Sequence, residues 1–219
     1  ANAADTTRLS REHTVDTGTP GLTTIAGGKF TTYRVMARDL IDGAARDLGP
    51  GVPSSRTHRV PLIGADGYAQ RWARRAALAA ASGLGADQVE RLLGRYGSCV
   101  DDVLGLIDCR PELGAPVPDG GGYLAAEISY ACTHEGAVHL DDVLARRTRI
   151  AIEVPDRGAA AAPWVADLMA AELGWDAARR ERELARYRDG ITAMLAGEQA
   201  ADDAAAFGAR MRADGAASL

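Results

Sequence analysis

The chain contains 219 residues, of which 47% are apolar and 25% charged, and its formal net charge is -5. This length is sufficient for one or two domains with a hydrophobic core, and the composition excludes intrinsic disorder. The acidic balance argues against a nucleic-acid binder, which needs a concentrated cationic surface. No apolar run approaches the roughly 18 residues that cross a bilayer.

The basic residues are divided unevenly, because 24 are arginine and one, Lys29, is lysine. A plain surface cation in this chain would be arginine, so Lys29 becomes a candidate functional residue. Cys99, Cys109 and Cys132 form no CxxC pair and leave one cysteine over in any disulfide scheme. They predict buried thiols in a reducing compartment. The chain begins with Ala1, and we expect a fragment or a processed product.

Residues 1–48 combine β and α patterns. Two β-prone segments, 13–15 and 22–26, lie on either side of a turn-rich stretch at 16–21, and Gly27-Gly28 ends the second. Apolar residues then recur at helical spacing from Thr31, the expected N-cap. Two strands and one helix cannot bury a sheet face alone, so we expect further structure to complete this unit.

Residues 49–62 are predicted to be a linker because 50–55 are rich in proline, glycine and serine. Residues 63–219 form a predicted helical domain, so the expected fold class is mostly α. Helices are predicted near 66–81, 86–97, 99–108, 122–135, 140–152, 161–173, 176–196 and 202–213. The expected helix ends are Asp87 and Asp141 as N-caps, Pro163 in a first turn, and Gly83, Gly97 and Gly174 at C-termini.

Two glycine motifs resemble nucleotide-binding loops but fail on context. Gly28-Lys29 is not a Walker A loop, since two of its required positions hold Thr23 and Phe30. Residues 120–125 fit GxGxxA, but Pro116 and Pro118 exclude the buried strand that must precede a dinucleotide fingerprint. We predict a loop that leads into a helix at 120–125.

The remaining polar motifs favour structural roles. His134 and His139 resemble HExxH, but a spacing of five places them on different sides of a helix, and no metal site is predicted. The arginine-rich stretches 146–149 and 179–188 are expected to form salt-bridged or solvated helix faces. No calcium-loop pattern is present, and His13 and His58 receive no role.

The segment 27–34, GGKFTTYR, remains as the candidate site. Two glycines permit close approach of a ligand, and a helix start offers unpaired N–H groups and the positive end of a dipole. Lys29 adds a mobile cation suited to an oxyanion or a phosphate. The structural alternative is a tight turn between strand and helix, with the lysine reaching into solvent.

This segment resembles part of a known family. Residues 21–37, with the run GGKFTTYRVMA, are similar to the final flavin-contacting segment of the FAD-dependent respiratory glycerol-3-phosphate dehydrogenases, and 9–13 resembles the strand that leads into it. Downstream, the resemblance extends to that family's helical C-terminal domain at 127–130, 134–135, 140–149 and 173–176. By this resemblance, 1–48 is the remnant, two strands and a helix, of an FAD-binding domain.

The resemblance implies oxidation of sn-glycerol 3-phosphate to dihydroxyacetone phosphate, with FAD as cofactor and a quinone as electron acceptor, or oxygen in oxidase relatives. Gly27 and Gly28 would lie against the flavin, and Thr31 and Thr32 would bond the flavin or cap the helix. Lys29 would bind the substrate. Tyr33 and Arg34 are expected to be positional.

The resemblance also implies that the family's nucleotide fold and catalytic base lie upstream, so no catalytic residue is assigned and the fragment alone is expected to be inactive. The implied location is cytoplasmic, with room for peripheral membrane contact and a homodimer. A rival interpretation is a non-catalytic module for dimerisation or membrane docking. Exposed apolar residues on the helix between Trp164 and Trp175 would favour docking, whereas a buried stripe would favour bracing of the flavin domain.

Overall fold

The computed structural model of the chain describes residues 12–216, except for the side chains of 210 and 212–216. It divides into two compact units, Ala1–Leu62 and Ile63–Leu219, here called the N-terminal unit and the helical unit. Most described residues are helical, and the strands among them form a single two-stranded sheet. The mostly α fold is therefore confirmed. Of the predicted strand segment 9–13, residues 9–11 lie outside the described residues.

The N-terminal unit begins with an antiparallel hairpin. Strand β1, His13–Thr19, pairs with β2, Leu22–Gly27, and the register places His13 opposite Gly27. A 3-10 turn at Phe30–Thr32 then leads into helix α1, Tyr33–Ala45, and further 3-10 turns follow at Arg46–Leu48 and Thr57–Arg59. The turn predicted at 16–21 is shorter than expected, because an irregularity after Asp16 lets β1 continue to Thr19.

The N-terminal unit has no core of its own among residues 12–62, since none of them is buried. Its large apolar side chains remain in solvent: Phe30 is 92% exposed, Leu48 76% and Ile41 60%. This agrees with the expectation that two strands and one helix cannot bury a sheet face. The unit offers an apolar surface rather than an interior.

The helical unit is built from short helices joined by tight turns. They are α2 (Tyr68–Ala73), α3 (Arg75–Ser82), α4 (Ala86–Tyr96), α5 (Val100–Cys109), α6 (Ala125–Thr133), a π-helical segment (Asp142–Arg147), α7 (Ile150–Glu153), α8 (Ala162–Leu173), α9 (Ala177–Glu198) and α10 (Asp203–Ala216). Most predicted helix ends are correct to within two or three residues.

Helix α6 is the centre of the helical unit, and residues 125–132 are all buried. Its residues Ala126 and Tyr130 join a core with α4 and α5, whereas Ile128 and Ala131 join a second core with the π-helical segment, α8 and α9. One helix therefore connects the two cores, and the unit cannot pack without it.

Two predicted helices are interrupted. Helix 66–81 breaks at Arg74, between α2 and α3. Helix 140–152 opens into the π-helical segment and stops at Thr148, whose backbone N–H and hydroxyl both donate to the carbonyl of Val143, at 2.8 and 2.7 Å. These bonds to a residue five positions back stabilise the wider turn.

The predicted N-cap Asp87 is wrong, whereas Asp141 is the N-cap of the π-helical segment, although its side chain forms no capping hydrogen bond. Gly85 is the N-cap of α4, and its N–H donates to the Gln88 side chain at 2.8 Å. Asp142, not Asp141, accepts from two backbone N–H groups before its helix, both at 3.0 Å. The other predicted helix ends are confirmed: Pro163 lies in the first turn of α8, and positive φ ends helices at Gly83, Gly97 and Gly174.

The thiols are only partly as predicted. Cys132 is buried, and burial raises its pKa to about 12, whereas Cys99 is half-buried and Cys109 is exposed. Cys109 is the last residue of α5 and does not lie on the buried helix face that contains Val103 and Ile107. The expectation of three buried thiols is therefore wrong for Cys109.

A fully buried carboxylate joins α4 to α6. Glu127 lies 3.0 Å from Arg91 and 3.3 Å from Arg95, and it accepts hydrogen bonds from the hydroxyl of Tyr96 and the N–H of Leu124, at 3.3 and 2.8 Å. Burial raises the pKa of Glu127, and the Leu124 N–H and the two guanidinium groups oppose that rise.

We expect Glu127→Ala to lower the free energy of unfolding by about 3–5 kcal/mol, because it leaves partly buried guanidinium groups unpaired. Glu90→Ala is the control, since Glu90 forms an exposed pair with Arg75 that contributes about 1 kcal/mol or less. Urea unfolding measures both. A Glu127→Ala midpoint no lower than that of Glu90→Ala would contradict the role of the buried carboxylate.

Candidate functional site

The turn between β2 and α1 is built from two glycines that no other residue can replace. Gly27 and Gly28 have φ of +82° and +80°, a region that side chains with a Cβ rarely occupy. A Cβ on Gly27 would lie 2.7 Å from the carbonyl oxygen of Glu12, and one on Gly28 would lie 2.5 Å from the sulfur of Met36. The two glycines therefore allow close packing against Glu12 and Met36, and Gly27 keeps an exposed side.

Thr32, rather than Thr31, closes the start of the helix. The N–H of Lys29 donates to Thr32 Oγ1 at 3.3 Å, and the Thr32 hydroxyl donates to the carbonyl of Lys29 at 3.0 Å. Thr31 is exposed, and the structure gives its side chain no capping bond. The prediction of Thr31 as N-cap is wrong. The 3-10 turn places the two hydrogen bonds with Lys29 on Thr32, one position later.

The helix start presents unpaired donors. Within residues 12–216, the backbone N–H groups of Phe30 and Thr31 form no hydrogen bond, as expected for the first residues of a helix. Lys29 is exposed, and no described carboxylate forms an ion pair with it. These donors, the lysine and the helix dipole together favour an anion at this turn.

His13 receives a position that its sequence did not suggest. Its Nε2 lies 2.8 Å from Oδ2 of Asp39 on α1, and Arg38 lies 2.7 Å from Oδ1 of the same carboxylate. Hydrogen bonds from Arg38 and then His13 lower the pKa of Asp39. This contact ties β1 to α1 next to Gly28 across 26 positions of sequence, which no local motif signals.

Arg34 has the positional role expected for it. Its guanidinium donates to the carbonyl of Thr57, and to that of Val60 at 2.8 Å. Arg34 therefore holds the 3-10 turn Thr57–Arg59 against α1. Tyr33 is exposed, with its ring centroid 6.3 Å from that of Phe30, and His58 contacts only its neighbour Arg59 among the described residues.

The other candidate motifs of the sequence are structural. Residues 120–125 form a loop before α6, closed by the N–H of Val117 donating to the carbonyl of Tyr123 at 2.7 Å, which confirms the predicted loop and helix. His134 stacks on Tyr130, whereas His139 lies 2.9 Å from Glu183. Within 12–216, no cluster of His, Cys, Asp or Glu could hold a metal ion.

The arginine-rich stretches were predicted to be salt-bridged or solvated, and half of their arginines form ion pairs while Arg182 and Arg188 are exposed. Within 146–149 and 179–188, the pairs are Arg146 with Asp141, Arg149 with Glu153, Arg179 with Glu183, and Arg180 with Asp167. Arg147 differs, because its guanidinium donates twice to the carbonyl of Glu135, at 3.0 and 2.9 Å. Arg186 also differs, since it contacts His139 rather than a carboxylate.

The helix between Trp164 and Trp175 faces the core. Val165 and Met169 are buried, and both tryptophans are half-buried and pack against the buried residues. No large apolar side chain of this segment is exposed, so the burial pattern favours bracing over docking. In the part of the chain that the structure describes, no helix is both long and apolar enough to cross a membrane.

Comparisons with known proteins identify relatives of this chain. Residues 55–180 match the family described as the C-terminal domain of alpha-glycerophosphate oxidase. The chain is 46% identical over 202 residues to glycerol-3-phosphate dehydrogenase 2 of Mycobacterium bovis, which covers 92% of this chain and 34% of that protein. The identity and coverage are the same for the glycerol-3-phosphate dehydrogenase of Mycobacterium leprae.

A mitochondrial glycerol-3-phosphate dehydrogenase of Arabidopsis thaliana is 32% identical over 201 residues, which cover 85% of this chain and 32% of that protein. The chain thus spans about a third of the length of the curated relatives it matches. The family match extends over more than half of the chain and covers residues 55–62 and the helical unit as far as residue 180. The chain belongs to the glycerol-3-phosphate dehydrogenase family and contains its helical C-terminal domain.

Proposed function

We propose that the chain is part of an FAD-dependent dehydrogenase that oxidises sn-glycerol 3-phosphate to dihydroxyacetone phosphate and passes the electrons to a quinone. The observation that carries this proposal is the 46% identity to the mycobacterial dehydrogenases. The alignment covers 92% of the chain. The residues that it leaves out are too few to reach from Ala1 to the turn at 27–32, so the turn lies within the aligned region. The exposed donors of that turn are what such an enzyme requires beside its cofactor and substrate.

The turn fits one edge of a flavin. Gly27 is exposed and carries no side chain, so a flat ring can contact the backbone there from the solvent side. When bound, FAD supplies a hydride acceptor at N5 of its ring. The free N–H groups of Phe30 and Thr31 would stabilise negative charge on a flavin held at this turn. Thr32 fixes this helix start, and Thr31 is left available to bond the cofactor.

Lys29 is the substrate-binding residue in this proposal. Its side chain is exposed next to the turn, and an ammonium group offers three donors on a flexible stem, suited to phosphate or hydroxyl oxygens. Binding through Lys29 orients the substrate so that C2 faces the cofactor. No catalytic acid or base is assigned to the described residues.

The electron acceptor and location belong to the same proposal. The relatives are named dehydrogenases, which favours a quinone over the oxygen used by an oxidase. A quinone acceptor dissolves in the membrane, so we place the enzyme in the cytoplasm with peripheral contact to the inner face of the membrane. The helical unit braces the flavin domain, and a homodimer is compatible with this role.

We expect Lys29→Met, made in the full-length gene product, to raise the KM for glycerol 3-phosphate and to lower kcat, reducing kcat/KM by about 100-fold through loss of a charge-assisted contact. Arg46→Met is the control, because Arg46 is an exposed cation of the same unit with no side-chain bond. Anaerobic dye reduction measures both variants. An unchanged kcat/KM for Lys29→Met would make the lysine a scaffold residue.

We expect Gly27→Ala to lower the FAD content of the full-length gene product by more than half, because the new Cβ meets a backbone oxygen that cannot move aside. Gly21→Ala is the matched control: Gly21 also has positive φ, but a Cβ there meets nothing within 4 Å. Flavin absorbance per protein measures both variants. Equal FAD content in the two variants would contradict the proposal that this turn contacts the cofactor.

The isolated 219-residue chain is expected to purify without stoichiometric flavin and without substrate-dependent dye reduction. The physical reason is that its N-terminal unit buries none of residues 12–62, so the turn lacks an enclosing surface. Absorbance near the flavin bands and a dye assay measure this. A yellow, active preparation of the 219-residue chain would overturn the proposed division of the site.

A further inference from the structure

The helical unit contains a cavity that the proposed function does not use. It has a volume of about 240 Å³ and lies between α9 and the segment formed by residues 140–151. Its apolar lining is supplied by Leu140, Ala145, Ala151, Tyr187, Ile191 and Met194. This volume exceeds the roughly 150 Å³ of an apolar cavity that binds benzene. The cavity can therefore receive a short hydrocarbon chain.

Three arginines also line this cavity, and they differ in how they are neutralised. Arg146 pairs with Asp141, and Arg157 pairs with both carboxylate oxygens of Glu198 at 2.8 Å. No carboxylate of the described residues forms an ion pair with Arg186, whose guanidinium instead lies 3.1 Å from Nδ1 of His139. Arg186 is thus the cavity arginine without a neutralising partner.

The nearby carboxylate cannot neutralise Arg186 as well. Glu183 is almost fully buried and already lies 2.9 Å from both Arg179 and His139, and it accepts from the N–H of Leu140 at 3.3 Å. Arg179 and Arg186 therefore flank the His139 imidazole, at 3.4 and 3.1 Å from its Nδ1, and only Arg179 pairs with Glu183. The guanidinium of Arg186, which has no carboxylate partner among the described residues and lies next to an apolar cavity, favours an anion that carries a hydrocarbon chain.

We propose that this cavity binds an anionic amphiphile, with a phosphate or carboxylate head on Arg186 and His139 and a single alkyl chain against Ile191 and Met194. The head would give Arg186 the anionic partner that Glu183, already paired with Arg179, does not supply. The chain would cover apolar side chains that otherwise line an open cavity. This inference stands on the helical unit alone and does not depend on the proposed dehydrogenase activity.

Octyl phosphate below its critical micelle concentration is the probe, titrated calorimetrically into the 219-residue chain. We expect saturable binding with one site, and at least 10-fold weaker binding to Arg186→Gln. Arg188→Gln is the matched control, an exposed arginine of the same helix outside the cavity, and it should bind as the unchanged chain does. Circular dichroism verifies that each variant is folded.

A second variant tests the hydrocarbon site. Gly190 lines the cavity in α9, and a Cβ there meets nothing within 4 Å, so Gly190→Leu is accommodated and fills the cavity. We expect this variant to lose octyl phosphate binding while its helix content is kept. Undiminished binding to Gly190→Leu would overturn the placement of the alkyl chain.

Two further probes test whether the ligand is an amphiphile and whether it comes from a membrane or from solution. Inorganic phosphate should bind at least 10-fold more weakly than octyl phosphate; equal binding would overturn the amphiphile. Binding to anionic phospholipid vesicles with the same dependence on Arg186 would identify a membrane lipid as the source, and binding of the monomeric probe alone would identify a free ligand. No saturable binding of octyl phosphate, or equal binding to Arg186→Gln, would refute the site.

Discussion

The buried carboxylate of Glu127 is the interaction on which the helical unit depends. It lies on α6, the helix that belongs to both cores, and it is held by the guanidinium groups of Arg91 and Arg95 on α4. Burial raises its pKa, so desolvation is only partly offset by these partners. Such a pair stabilises the fold chiefly because removing one member leaves the other charge buried and unpaired.

The same network extends to the surface that carries the cavity. Arg95 donates to the Tyr123 hydroxyl at 3.1 Å and to the carbonyl of Arg147 at 2.6 Å, and Arg147 in turn binds the carbonyl of Glu135. Arg147 ends the π-helical segment. The segment that lines the cavity is therefore fixed by charges in the interior, and its wide turn is preserved by Thr148 rather than by helix propensity.

Local patterns predicted the elements well, and long-range partners account for what they missed. Helical periodicity and glycine C-caps identified most helices, and Gly27-Gly28 identified the turn, because each signal lies within a few residues of its structural effect. The role of Glu127 depends on Arg91, 36 positions away, and that of His13 on Asp39, 26 positions away. No single-sequence pattern contains those distances, so the buried charge and the strand-to-helix contact were not predicted.

In the proposed site, the single lysine supplies a flexible cation that arginine would not replace. The turn already supplies two fixed N–H donors at a helix start, and a planar guanidinium on the next residue would impose a second fixed geometry. An ammonium on a flexible stem can instead follow the oxygens of a ligand while the backbone stays rigid. Because residues 12–62 bury nothing, that rigidity comes from the hairpin register and from the Thr32 and His13 contacts. The exposed charge of Lys29 is thus carried by a turn with fixed backbone contacts, an arrangement suited to the oxyanion binding that we propose for it.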